Sequence, residues 1–202
     1  MLKNIYGIYK RSRDASWKCL IDYNITSLPV DLIYIADKAD IKILKNSILS
    51  RNKLDENEAG RCIYVNKTKK WYIIYDDSDP EGKCRLTIAH EFGHIFLGHE
   101  LVYTDLGRIF YKNKPKSETE ADIFAARLLA PACVLWGLDV RTPDAISKLC
   151  VISNKPAELR AKRMSELYKR DKFLTSVLER KVYGQFKTFI RTHDQSELPR
   201  NP

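Results

Sequence analysis

Two histidines and a glutamate occur at a spacing that suits metal chemistry, in the segment His90-Glu91-Phe92-Gly93-His94. Residues four apart on an α-helix lie one turn apart on the same face, so the imidazoles of His90 and His94 would point towards one site. A zinc ion binds imidazole nitrogens and, in a catalytic site, keeps one coordination position for water. Glu91 can reach that water rather than the metal. The segment therefore predicts a zinc site with His90 and His94 as ligands and Glu91 as the catalytic general base.

A structural role for the two histidines is the alternative interpretation. A helix is expected from Lys83 to Leu97, and its apolar residues cover most of its circumference, so it should be largely buried. Polar side chains buried there without a ligand would each cost about 1–3 kcal/mol if left without a partner. The metal site is therefore the favoured interpretation.

A catalytic zinc site needs a third protein ligand, and the spacing excludes one source of it. The pattern H-E-x-x-H-x-x-G-x-x-H requires glycine and histidine where this chain has Leu97 and Glu100. His99 is five residues after His94, on a different side of the helix, and is expected as a surface group at the helix end.

Two glutamates of a later segment, Glu118 and Glu120, are the candidates for the third ligand. Ser117 and Glu120 form the S-x-x-E pattern of a capping box, which predicts that a helix begins at Ser117 and that Glu120 binds the backbone of its first turn. Glu118 would then point at the metal, with Glu120 as the alternative. Asp122, four residues after Glu118, would share its face and accept the N–H of a ligand histidine.

The elements that must position these residues indicate an α+β fold. Runs 62–65 and 71–75 predict a β-hairpin, and the pattern from residue 117 onwards is helical. Strands early and helices late predict a small β-sheet packed on helices, among them the helix of the H-E-x-x-H motif, followed by an all-helical C-terminal subdomain. We expect the boundary between residues 1–135 and 136–202.

The charge of the chain is concentrated near its end. The 202 residues carry a formal net charge of +9, and residues 151–202 hold twelve basic and six acidic side chains. Such a segment permits contact with nucleic acid or an acidic protein, but a solvated helical face gives the same count. Residues 145–160 follow a helix, turn, helix pattern without glycine in the turn. DNA binding is therefore an alternative, and a docking or structural helix pair is favoured, so nucleic acid is not an expected partner.

The composition predicts a globular, cytoplasmic protein. Hydrophobic residues make up 44% of the chain, enough for a core, and no run approaches the length of a membrane span, so no membrane partner is expected. The five cysteines are widely spaced and form no C-x-x-C pair, which favours reduced thiols. The oligomeric state is not predicted.

Three segments, 28–32, 87–97 and 118–131, resemble the ImmA/IrrE family of metallo-endopeptidases, and the similarity runs from about residue 25 to 165. The resemblance implies a zincin-like domain in residues 1–135 that holds zinc through His90, His94 and Glu118. It also implies an enzyme whose partner is its substrate, a helix-turn-helix transcriptional repressor, cleaved to relieve repression of a mobile element or a stress response.

Two points remain open at the level of sequence. Proteases of this type use a further donor for the oxyanion, for which Tyr103, Arg108 and Tyr111 are candidates. The alternative function is that of a non-catalytic, zinc-containing regulatory protein that acts by binding a partner.

Overall fold

The computed structural model describes residues 2–51, 53–99, 101–103, 109–111 and 114–193, with side chains in 7–51, 53–99 and 115–193. The chain forms two compact units. The first comprises Met1–Ala15 and Leu32–Ala125, and the second comprises Ser16–Asp31 and Ala126–Pro202. Two helices, α1 (Leu2–Asp22) and α4 (Lys114–Leu129), contribute to both units.

The first unit contains the strands and the H-E-x-x-H helix. After α2 (Leu32–Lys38) come β1 (Ile41–Lys45), a 3-10 turn (Asn46–Ile48), β2 (Gly60–Val65) and β3 (Lys70–Tyr75). Helix α3 (Glu81–Phe96) follows, and β4 (Leu101–Tyr103) and β5 (Ile109–Tyr111) pair antiparallel before α4.

Helix α3 packs against a three-stranded sheet with strand order β1-β3-β2. β1 runs parallel to β3, and β2 pairs antiparallel with β3, so the predicted hairpin is confirmed. The strands are rich in β-branched and aromatic residues, which suit a half-buried sheet surface. Ile73 and Ile74 of β3 and Cys62 of β2 are buried, and α3 packs against both of these strands.

The second unit is helical among the described residues. Its elements are α5 (Ala132–Gly137), α6 (Pro143–Cys150), α7 (Asn154–Lys169), α8 (Val177–Gln185) and α9 (Lys187–Thr192). Thr142 caps α6, its hydroxyl accepting a hydrogen bond from the Ala145 N–H at 3.3 Å. Val151, in the left-handed conformation that often ends helices, separates α6 from α7.

The predicted α+β class is confirmed: a small sheet with helices is joined to a helical part. The expected division into residues 1–135 and 136–202 stays a prediction about domains, as does the absence of DNA binding by the α6–α7 pair. No helix among the described residues combines the length and apolarity required to span a bilayer.

Candidate metal centre

Helix α3 carries three of the residues singled out by their spacing. His90, Glu91 and His94 lie in its second half, and Glu91 and His94 are buried. On the opposite face of α3, the rings of Phe92 and Phe96 pack against each other. Phe96 also stacks on Phe124 of α4, with ring centroids 6.0 Å apart. This apolar packing fixes the rotation of α3 about its axis and therefore the direction of the two imidazoles.

The imidazoles of His90 and His94 meet the carboxylate of Glu118 from α4. Their Nε2 atoms lie 3.0 Å apart, and Glu118 Oε2 is 3.2 Å from His90 Nε2. Glu118 Oε1 is 3.8 Å from His94 Nε2, and the three residues together form a group able to hold a metal ion. Tetrahedral donors about 2.0–2.1 Å from a zinc ion would be about 3.3 Å apart. The first two separations lie close to that value, and the third, measured to the other carboxylate oxygen of Glu118, is longer.

Gly93 allows α3 and α4 to approach each other closely enough for this geometry. A Cβ atom at Gly93 would lie 2.8 Å from the Cα atom and 3.1 Å from the Cβ atom of Ala121. The first distance is shorter than van der Waals contact permits, so only glycine fits between the two helices at this approach. Glycine inside the motif, a residue that sequence reasoning did not use, is thus part of what places Glu118 beside the histidines.

Asp122 holds the outer side of His90. Its Oδ1 lies 2.9 Å from His90 Nδ1, so a proton on Nδ1 leaves Nε2 to face the group formed with Glu118. Burial disfavours the charged ring of His90, but the hydrogen bonds with Asp122 and Glu118 outweigh burial and raise its pKa above the ordinary value. Burial and the positive charge of His90 lower the pKa of His94.

Glu91 lies beside the group with one oxygen unused. Its side chain accepts hydrogen bonds from the thiol and the backbone N–H of Cys62 on β2. Oε2 is buried and has no hydrogen-bond partner within the part of the chain that the structure describes. Burial raises the pKa of Glu91, although the charge of His90 and the bonds from Cys62 oppose that rise. The bond to Cys62 was not expected from the sequence, because it depends on how the strand packs on the helix.

These observations fit a bound zinc ion. Two imidazole nitrogens and one carboxylate are the ligand set of many catalytic zinc sites. The buried, unpartnered Oε2 of Glu91 is explained by a ligand such as water placed next to it, since buried carboxylate oxygens rarely lack a partner. His90, His94 and Glu118 would hold the metal, with Asp122 orienting His90.

Two expectations for the surroundings of the site are wrong. Helix α4 begins at Lys114, so Ser117 does not cap it. Ser117 lies within the first turns of the helix and is buried. Glu120 consequently does not bind the first turn; it contacts His99, whose Nε2 lies 3.1 Å from Glu120 Oε2. His99 is not a surface group, because its side chain is buried and its Nδ1 lies 2.9 Å from His94 Nδ1.

The side chains of the candidates for oxyanion stabilisation lie outside the described part of the structure. Arg108 is not among the described residues, and the side chains of Tyr103 and Tyr111 are not described either.

A small sheet below a helix that bears H-E-x-x-H, with a glutamate from a later helix beside it, defines the zincin-like class of metallopeptidases. The profile of the peptidase M78 family, described as the IrrE N-terminal-like domain, matches residues 36–137, just over half of the chain. The chain therefore belongs to this family of metallopeptidases, as the resemblance of the motifs indicated. All five predicted site residues lie within the matched range. A search of curated proteins found no match to the chain.

Proposed function

We propose that this protein is a zinc-dependent endopeptidase of the cytoplasm that cleaves a protein substrate. The observation that carries the proposal is the convergence of His90, His94 and Glu118 near Glu91, one oxygen of which has no partner among the described residues. A purely structural zinc site would not require a further buried carboxylate near its ligands.

Each residue of the group has a distinct task in this proposal. Zinc, when bound, supplies a Lewis acid that lowers the pKa of water and polarises a peptide carbonyl. Glu91 takes the proton from the attacking water at Oε2 and passes it to the leaving amine. The two bonds from Cys62 hold the carboxylate of Glu91 in place near His90 and Glu118. Asp122 keeps the proton of His90 on Nδ1.

The substrate that we propose is a helix-turn-helix transcriptional repressor, cleaved to relieve repression of a mobile element or a stress response. Membership of the M78 family supports peptidase chemistry, and the resemblance of the motif blocks to ImmA/IrrE proteins supports a repressor as the substrate.

The deciding experiment compares the wild-type protein with Glu91→Gln, both loaded with zinc and incubated with a candidate helix-turn-helix repressor. We expect the wild-type protein to cleave the repressor and the variant to be slower by about 10²–10⁴-fold, the contribution of a general base. Zinc content of the variant should equal that of the wild-type protein, because Glu91 is not a ligand. The readout is the appearance of fragments by mass spectrometry.

An Asp14→Asn variant is the matched control, since it also converts an acidic side chain of the first unit to its amide. Its carboxylate pairs with Arg13 and takes no part in the site. Equal cleavage by wild-type protein and Glu91→Gln would contradict the proposed catalytic role. Zinc binding without cleavage of any repressor would favour the non-catalytic regulatory protein instead.

A further inference from the structure

His99 lies behind His94, on the side away from the metal-binding group. Gly98, with φ of +63°, ends α3 in the left-handed conformation that glycine adopts readily. The Gly98 N–H donates to the Ile95 carbonyl at 3.1 Å and the His99 N–H donates to the His94 carbonyl at 3.0 Å. These two bonds form a Schellman motif, which turns the chain back over the last turn of the helix. His99 is thereby brought next to His94.

A continuous series of polar contacts runs from His94 to helix α1. His94 Nδ1 lies 2.9 Å from His99 Nδ1, and His99 Nε2 lies 3.1 Å from Glu120 Oε2. Glu120 Oε1 lies 3.4 Å from Arg11 Nη1, and Arg11 Nη2 donates to the Leu97 carbonyl at 2.6 Å. Side-chain exposure is 1% for His94, 6% for His99, 3% for Glu120 and 52% for Arg11.

With the rings of His94 and His99 both neutral, these groups allow one arrangement of protons. A carboxylate of Glu120 paired with Arg11 only accepts hydrogen bonds, so His99 donates to it through Nε2. The Nδ1 atom of neutral His99 is then an acceptor, and His94 donates to it from its own Nδ1. Nε2 of His94 is left with its lone pair directed at His90 and Glu118, which is the tautomer that a metal requires.

We infer that His99 and Arg11 are positioning residues of the metal centre, and that His99, Glu120 and Arg11 together fix the tautomer and orientation of His94. The inference rests on the proposed metal site. The exposed carboxylate of Asp122 fixes the tautomer and orientation of His90 in the same way. His94 is too deeply buried for a solvent-exposed partner. Arg11 lies outside the matched range of 36–137, so helix α1 adds to the centre from beyond the family domain.

The experiment measures binding of Co²⁺ and Zn²⁺ to the full chain by calorimetry and by the visible absorption of bound Co²⁺. His99→Leu removes both ring nitrogens, and His99→Asn keeps an oxygen near the position of Nδ1. We expect His99→Leu to weaken binding by about 10–100-fold, as for partners of ligand histidines in other zinc sites, and to change the Co²⁺ spectrum. His99→Asn should restore most of the affinity and the spectrum, which a role in packing alone would not explain.

A second pair of variants tests Arg11 without altering the buried part of the site. Arg11→Met should weaken Co²⁺ binding by less than His99→Leu does. Lys10→Met, which removes one positive charge from the neighbouring exposed position of α1, is the matched control and should bind like the wild-type protein. If His99→Leu does not fold, as judged by circular dichroism without metal, the comparison of Arg11→Met with Lys10→Met decides.

Three results would overturn the inference. Wild-type affinity and spectrum in His99→Leu would show that His99 does not act on the centre. X-ray absorption showing three imidazoles around zinc in the wild-type protein, and two in His99→Leu, would make His99 a ligand. A wild-type protein that binds neither cation would refute the proposed function and this inference with it, whereas the first two results leave the proposed function standing.

Discussion

At the scale of single residues, the charge of the site depends on which imidazole carries a proton. His90 lies between Asp122 and Glu118 and its pKa is raised, while burial and the charge of His90 lower the pKa of His94. Near neutral pH the metal-free site therefore holds His90 as a charged ring with a proton on both nitrogens, and His94 as a neutral ring with a proton on one nitrogen. A cation bound through Nε2 of His90 must displace that proton.

Metal affinity is accordingly expected to rise with pH above the range of an ordinary histidine. An unperturbed histidine, with a pKa near 6.5, would cease to compete by about pH 7.5, and affinity would level off. Because the pKa of His90 is raised, zinc affinity should continue to increase by up to about tenfold per pH unit between pH 7 and 8.5. Titration calorimetry in buffers of different ionisation enthalpy should detect about one proton released per zinc bound.

Asp122→Asn supplies the control for this prediction. The amide carries no charge, so the pKa of His90 should fall, and fewer protons should be released at pH 7.5. A proton release that is the same in both proteins would mean that His90 does not carry the displaced proton.

Sequence spacing predicted that His90 and His94 share one face of a helix and that Glu118 and Asp122 share one face of another, because both pairs depend on local helical geometry. Their roles at a metal stay predictions. The reasoning that selected Glu118 over Glu120 was nevertheless mistaken, because Glu120 forms a hydrogen bond with His99 and does not take part in a helix cap. Contacts made by His99 depend on the chain reversal at Gly98 and on the packing of two helices. Helical periodicity, which assigned His99 only a position relative to His94 around the helix axis, could not find them.

At the scale of elements, α3 and α4 can approach each other closely because residue 93 is glycine and has no Cβ atom. Gly93→Ala would force its Cβ atom against Ala121, and the helices would have to separate or shift. We expect a loss of about 1–3 kcal/mol in the free energy of unfolding, the usual cost of overpacking, together with weaker zinc binding. Chemical denaturation and zinc titration measure the two effects.

Gly7→Ala is the matched control, because it places the same methyl group on helix α1, where a Cβ atom meets nothing within 4 Å. Alanine has the higher helix propensity, so this variant should be more stable by up to about 1 kcal/mol, with zinc binding unchanged. If the two variants changed stability in the same direction, the close approach of α3 and α4 would not be the cause.

The beginning of α4 shows why a capping pattern can mislead. Ser117 and Glu120 satisfy the S-x-x-E pattern, yet the helix begins at Lys114, one turn earlier. Pro115 is compatible with this start, since the first turn of a helix is where proline is tolerated. The helix therefore extends through Ser117, which is buried, and the pattern alone could not reveal that burial.

At the scale of the whole molecule, the second unit joins chain segments that are far apart in sequence. The Gln185 amide of α8 donates to the carbonyls of Leu20 at 2.7 Å and Ile25 at 2.6 Å, and both of these residues are buried. The sequence predicted the α+β class, because that follows from the order of local patterns. It did not predict that residues 16–31 pack with the C-terminal helices, since such pairings depend on tertiary contacts.

Gln185→Ala should destabilise the second unit without changing the metal centre. The Ile25 carbonyl would lose this donor and the Leu20 carbonyl would keep the Ile25 N–H, so we expect a loss of about 1–3 kcal/mol in the free energy of unfolding. Zinc affinity of the folded protein should stay at the wild-type value, because all the site residues belong to the first unit. Thermal denaturation and calorimetry provide the two measurements.

Lys181→Ala, at an exposed position of the same helix, is the control and should alter stability by less than about 0.5 kcal/mol. A fall in zinc affinity in Gln185→Ala alone would show that the two units are energetically coupled.

The three candidate ligand side chains differ in solvent exposure, and this difference should determine the order in which they release a cation. Glu118 and His90 retain contact with solvent, whereas His94 is enclosed. Competing small molecules such as EDTA can reach the outer pair first, so extraction should begin with detachment of Glu118 and His90 and end at His94. The innermost bond is then the last to break, and it sets the slow stage of metal exchange.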